Sequence, residues 1–232
     1  MTFEERIGDI RERIACAAEK AGRDPKSVLL VAVTKTRTVQ EMLAAVPFAA
    51  AIGENRIQEA EKKRKIWPAD GPASVLPWRL IGHLQGNKVR KALELFDTVD
   101  SLDSIALAER LERVAAEMER TLPVLIEVNM AQEGSKTGIA PEAFGPLLER
   151  VRSLPHLHME GLMTIGPMTD DEASVRRVFA ALRDLAEEAR KQTGLPLPVL
   201  SMGMSGDFEW AIQEGSTMVR IGSALFGPRN YC

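Results

Sequence analysis

The chain is poor in cysteine, histidine and tyrosine. Two cysteines, Cys16 and Cys232, stand among 232 residues, and their spacing fits neither a disulfide framework nor a metal motif. Reduced thiols in a cytoplasmic protein are the expectation. The three histidines, His83, His156 and His158, form no metal-ligand cluster in the sequence, so no metal is expected. No uninterrupted apolar run approaches the roughly 18 residues that a membrane helix needs. The first 20 residues are charged throughout and lack the apolar stretch of a secretion signal. A formal net charge of −3 offers no global basic field to nucleic acid. The one dense basic run, Lys62, Lys63, Arg64 and Lys65, falls late in a predicted helix, where cations suit the helix dipole. It reads either as a solvated helix end or as a phosphate-binding patch. Paired carboxylates at strand ends are also missing, apart from Glu54 and Asp100.

What is present is ordinary globular material, 45% apolar and 27% charged, with enough apolar residues for a large core. Short apolar runs alternate with turns and amphipathic stretches, the mark of βα units and a parallel sheet. Ile7, Ile10, Ile14 and Ala18 recur at helical spacing and predict an extra N-terminal helix that Gly22 ends. Strands are predicted over 28–34, 49–52, 78–81, 98–100, 124–129, 158–164, 198–202 and 218–221. The run over 28–34 is continuously apolar, as a strand buried on both faces requires. Thr38 and Glu41 form a capping box for the next helix, and Val175, Val178, Phe179, Leu182, Leu185, Ala186 and Ala189 trace the clearest amphipathic helix. Eight strands alternating with helices predict an α/β fold, a single (β/α)8 barrel over 1–232. An open doubly wound sheet is the competitor. The stretch 68–77, rich in Pro, Gly, Ala and Ser, reads as a surface loop.

In such a barrel the active site lies at the C-terminal ends of the strands. The polar residues there are Lys35, Asn55, His83, Asn129, Ser201, Ser205, Arg220, Gly222 and Ser223. Lys35 directly follows a buried strand. Burial lowers a lysine's pKa, and the neutral amine can attack an aldehyde. A lysine that snorkels to solvent fits the position equally. The segments 201–206 and 220–223 are small-residue turns after strands seven and eight, where barrels often bind phosphate through backbone N–H groups. Ordinary tight turns, with Ser205 as a helix N-cap, are the other account. Arg220, a permanent cation on strand eight, needs a partner: a phosphate, a ring nitrogen or a carboxylate. His83 reads as a helix-capping or core residue, and His156 and His158 as lining the barrel's bottom.

These residues fall in segments that resemble a known family. Val31-Ala-Val-Thr-Lys35-Thr, Gly53-Glu-Asn-Arg-Ile-Gln-Glu59, His83-Leu-Gln-Gly-Asn-Lys88, Ser135-Lys-Thr-Gly138, Gly161-Leu-Met163 and the block from Ser201 through Gly222 are similar to the YggS/PROSC family of pyridoxal 5′-phosphate (PLP) homeostasis proteins. The matches run from about Val28 to Gly227. Small departures stand at Gly206 and Gly86. The resemblance implies a barrel like the N-terminal domain of alanine racemase (PLP fold type III), with PLP as cofactor in a Schiff base on Lys35. It places the phosphate on Ser201, Ser205, Gly222 and Ser223, and Arg220 near the pyridine nitrogen, where a cation would weaken the ring as an electron sink. Asn55 is implied beside the ring, and Met163 and Met202 in the wall.

The resemblance further implies work in vitamin B6 homeostasis, with PLP, PLP-dependent apoenzymes or amino acids as partners and with no established catalytic residue. The racemases carry a second domain with a catalytic tyrosine. The only tyrosine here is Tyr231, at the end of the sequence, so a monomer and a carrier are expected. A minimal PLP enzyme, such as a weak amino-acid racemase, is the alternative, as is a cofactor-free Schiff-base barrel.

Overall fold

The computed structural model describes residues 1–131, 133 and 137–228. Helix α1 (Phe3–Lys20) opens the chain behind a complete capping box, Thr2 with Glu5. It buries Ile7, Ile10, Ile14 and Ala18, and Gly22, at a φ of 67°, turns the chain beyond it. Eight parallel strands then close in chain order: β1 (Leu29–Val33), β2 (Ala51–Glu54), β3 (Trp78–Leu80), β4 (Thr98–Leu102), β5 (Leu122–Glu127), β6 (Leu157–Met163), β7 (Val199–Ser201) and β8 (Met218–Ile221). Pairing of β1 with β8 seals the barrel and rules out the open sheet. The eight-stranded (β/α) barrel is therefore as the alternation predicted, although individual strand ends move.

The helices wrap the outside: α2 (Val39–Ala45), α3 (Ile57–Arg64), α4 (Val89–Leu95), α5 (Ile105–Glu117), α6 (Phe144–Arg152), α7 (Glu172–Thr193), α8 (Phe208–Gln213) and the short α9 (Ser223–Phe226). The Thr38–Glu41 capping box starts α2 as expected. Helix α7 buries Val175, Phe179, Leu182, Ala186 and Ala189 along one stripe. The segment 68–77 holds neither helix nor strand.

Every strand but β8 shifts at one end or both, and two of the shifts have visible reasons. β2 runs on through Gly53 and Glu54, two residues past its predicted end. The ladder continues there, with Thr34 donating to the Gly53 carbonyl and Ile81 to that of Glu54. β5 starts two residues early and includes Pro123, which is tolerated near a strand's start because the missing N–H costs no interior ladder bond. At β6 the register with β5 slips between Val124 and Leu125, so that Glu160 bulges. A Cβ on the next residue, Gly161, would sit 1.8 Å from the Val199 carbonyl oxygen, which explains a glycine in the middle of a strand.

Candidate functional site

The C-terminal ends of β1, β2 and β8 and the loops after β6 and β7 open into one cavity of about 460 Å³. Lys35, Asn55, Ser205, Arg220, Gly222 and Ser223 all line it, with apolar wall from Val33, Ile81 and Ile165. Six of the nine predicted binding residues therefore converge. The other three are buried and do not line it: Met163 at the end of β6, Ser201 at the end of β7 and Met202 just after it.

Arg220 is 4% exposed, and its guanidinium is held by neutral acceptors. Nη1 donates to Ser201 Oγ at 2.8 Å and Nη2 to the Thr164 carbonyl at 2.9 Å. Among the described residues no carboxylate reaches ion-pair distance, so the salt-bridge reading fails. Burial pulls its pKa down, while Asp100, Glu127 and Asp207 act in the opposite sense from farther off.

Ser205 is not the N-cap of α8; Asp207 occupies that position. Its Oγ instead accepts from the N–H groups of Gly222 (3.3 Å) and Ala224 (3.1 Å), stitching the β7 loop to the β8 loop. Asp207 in turn accepts from Met204 N–H at 2.6 Å. Gly203 makes this turn possible at a φ of 95°, where a Cβ would lie 2.6 Å from that of Ala211. The N–H groups of Ser205, Gly206 and Ser223 make no hydrogen bond within the protein among the described residues.

Glu127, at the end of β5, is 2% exposed and accepts from Thr137 Oγ1 at 2.6 Å. Burial holds its carboxyl above the usual range, against the pull of Thr137 and Arg220. The folded chain thus keeps a proton that the unfolded chain releases near pH ~4.3, so stability falls as pH rises through the raised folded value. Glu127→Gln keeps an acceptor for Thr137 and removes this fall. Its Tm relative to the parent chain should gain more at about pH 8 than at about pH 4, and a pH-independent difference would reject the assignment.

Several side chains sit where the sequence did not put them. His83 neither caps a helix nor enters the core; it is half exposed and meets Asp103 Oδ2 at 3.0 Å. His156 and His158 do stand at the bottom, at the N-terminal end of β6, where His156 pairs with Glu112 of α5 at 2.7 Å and His158 is exposed. Lys63, hidden in the basic run of α3, is neither a solvated end nor a phosphate patch. It is 6% exposed, with its ammonium 2.6 Å from Glu54, 2.6 Å from Glu59 and 2.7 Å from the Thr34 carbonyl. The Glu59 to Lys63 spacing of four was the one sequence signal for it. Ser135 and Lys136 of the matched segment 135–138 lie outside the described residues, as do Tyr231 and Cys232. Among the described residues no group of three His, Cys, Asp or Glu side chains could hold a metal, and no helix is long and apolar enough to cross a membrane. A second groove, of about 430 Å³ at the N-terminal end of β1, is lined mainly by apolar residues, with Arg11 and Lys26 at its sides.

A half-buried lysine, a buried arginine and two stitched small-residue loops at one barrel mouth define a small-molecule-binding (β/α)8 protein. The family model of the alanine racemase N-terminal domain matches residues 6–230, and the chain belongs to that family, in the branch of the pyridoxal phosphate homeostasis proteins. The pyridoxal phosphate homeostasis protein of Pseudomonas aeruginosa is 43% identical over 233 residues, 99% of this chain and 97% of that one. PipY of Synechococcus elongatus, solved with PLP bound, superposes with a TM-score of 0.84 at 36% identity, covering 97% of this chain and 100% of that one. Alanine racemase of Clostridium difficile shares the fold alone, with a TM-score of 0.73 at 14% identity over 95% of this chain and 55% of the racemase.

Proposed function

We propose that this chain binds PLP at the C-terminal mouth of its barrel, holds it on Lys35 and serves PLP homeostasis. The observation that carries the reading is the meeting of Lys35 and Arg220 in one cavity with the loops after β7 and β8. The residues present fit the group. The cavity offers a primary amine, a buried guanidinium and the N–H groups of Ser205, Gly206 and Ser223, a donor-rich set suited to a phosphorylated, acceptor-bearing ring. Close relatives bear PLP in name or in structure.

When bound, the cofactor supplies an aldehyde and an electron-withdrawing ring. Lys35 would supply the amine for a Schiff base, with loss of one water. Ser205, Gly206 and Ser223 would donate to the phosphate beside Gly222, and the stitch from Ser205 to Gly222 and Ala224 fixes the spacing of the two loops that do so. Ser201 would act at one remove, by holding Arg220. Arg220 would face the ring nitrogen; being a donor, it leaves no base there to share a proton. Asn55 would border the ring, while Met163 and Met202, both buried, would pack beneath it. In this reading the barrel works as one cytoplasmic, monomeric PLP-binding domain that trades its ligand with apoenzymes or amino acids.

The test adds PLP to the purified chain, reduces with borohydride and maps the modified residue. One equivalent fixed on Lys35 supports the reading. No adduct on Lys35 overturns it.

A further inference from the structure

Lys35 stands at a sharp place in the backbone. Thr36, immediately after it, has a φ of 66°, a left-handed conformation that a β-branched residue adopts only under strain. Something must hold the turn. Both peptide groups that flank Lys35 are bonded to one ionic cluster, buried at Glu54 and Lys63 and partly exposed at Glu59. On one side the Thr34 carbonyl accepts from the Lys63 ammonium at 2.7 Å. On the other the Thr36 N–H donates to Glu59 Oε1. The same ammonium joins Glu59 to Glu54, each at 2.6 Å, and Thr34 Oγ1 donates to the same Glu54 oxygen.

The cluster is a costly way to fasten α3 to the barrel. Glu54 is fully buried, burial raises its pKa against the pull of Lys63, and its Oε2 has no partner among the described residues. An ion cluster of this kind often stabilises a fold no better than apolar residues of similar volume. Helix α3 already buries Ile57 and Ala60. What apolar residues could not do is bond the two peptide groups around Lys35. We infer that Lys63, with Glu54 and Glu59, is a positioning device that sets the turn carrying Lys35 for attack on the aldehyde. The inference rests on the PLP reading above. It concerns the rate and geometry of capture, not the binding of the phosphate.

The test separates those two. PLP capture is followed by borohydride fixation on Lys35. Binding without capture is measured with pyridoxine 5′-phosphate, which carries a hydroxymethyl group in place of the aldehyde. Lys63→Met removes the ammonium. Glu59→Leu, at a side chain that is 24% exposed, removes the acceptor for Thr36 and is the milder variant if Lys63→Met fails to fold. Capture should slow by about tenfold or more in each folded variant, since small misplacements of a reacting group carry such penalties, while affinity for pyridoxine 5′-phosphate stays within about twofold. Glu59→Gln, which keeps the acceptor, should recover most of the rate. Capture at the parental rate in folded Lys63→Met or Glu59→Leu overturns the inference. So does an equal loss of capture and of pyridoxine 5′-phosphate affinity, which would mean general loosening of the mouth. A parent chain that forms no Lys35 adduct would instead sink the PLP reading, and this inference with it.

Discussion

Lys35→Ala is expected to leave the barrel folded and to abolish covalent capture of PLP. The two effects separate because of where the residue lies. The strand that precedes it is buried and paired on both sides, to β2 and β8. Lys35 itself comes after the ladder, half-buried at the cavity. Truncating it removes neither core volume nor a strand bond, so Tm should move by no more than the small amount typical of substitutions outside the core, about 0.5 kcal/mol in stability. Capture, by contrast, needs an amine within bonding distance of the aldehyde. Without it only the phosphate and ring contacts remain, and apparent affinity should fall by about a hundredfold or more. Lys35→Arg, cationic but unable to condense, should lose capture equally, which separates a chemical role for the amine from a merely electrostatic one. Visible absorbance and borohydride mapping read both variants. Parental stoichiometry of fixed PLP in Lys35→Ala would show that another lysine does the work.

The parts of this site that were legible in the sequence are those whose cause is local. A continuously apolar run ending in lysine announces β1 and Lys35, and small-residue turns after the last two strands announce the loops around Ser205 and Gly222. What escaped depends on partners distant in sequence. Glu54 fell beyond the predicted end of its strand because a carboxylate within a strand is unfavourable until Lys63, nine residues on, neutralises it. Lys63 looked like one charge of a solvated run because nothing in the run says which of its members faces inward. Ser205 fitted the local rule for a helix cap, yet its donors lie 17 and 19 residues later, on the loop after the neighbouring strand. Arg220 was the open case: position alone allowed a salt bridge, and only the packed barrel shows a guanidinium resting on a hydroxyl and a carbonyl.

That arrangement leads to the second large expected effect. Arg220→Met should weaken PLP binding by at least about tenfold and yet leave the ligand-free barrel about as stable as before. Two terms oppose each other in the free protein. Removing the guanidinium strips the Thr164 carbonyl and Ser201 Oγ of their donor, and an unsatisfied buried acceptor costs about 1–3 kcal/mol. It also removes a buried cation that no carboxylate neutralises at ion-pair distance, and the effective penalty for burying an ion is several kcal/mol. The lowered pKa of Arg220 under desolvation has the sign of the second term. Methionine fills similar space with a flexible apolar chain, so the terms nearly cancel and the change in Tm stays small. With ligand the balance differs. The guanidinium then gains an acceptor in a water-poor cavity, where a charge-assisted hydrogen bond is about twice as strong as a neutral one, and the variant forfeits that gain. Arg220→Lys should not rescue, because a point charge cannot reach Ser201, Thr164 and a ligand from one fork. Thermal melts with and without pyridoxine 5′-phosphate measure the two sides separately. A large fall in Tm of the ligand-free variant, with ligand affinity unchanged, would make Arg220 a structural strut and remove it from the binding site.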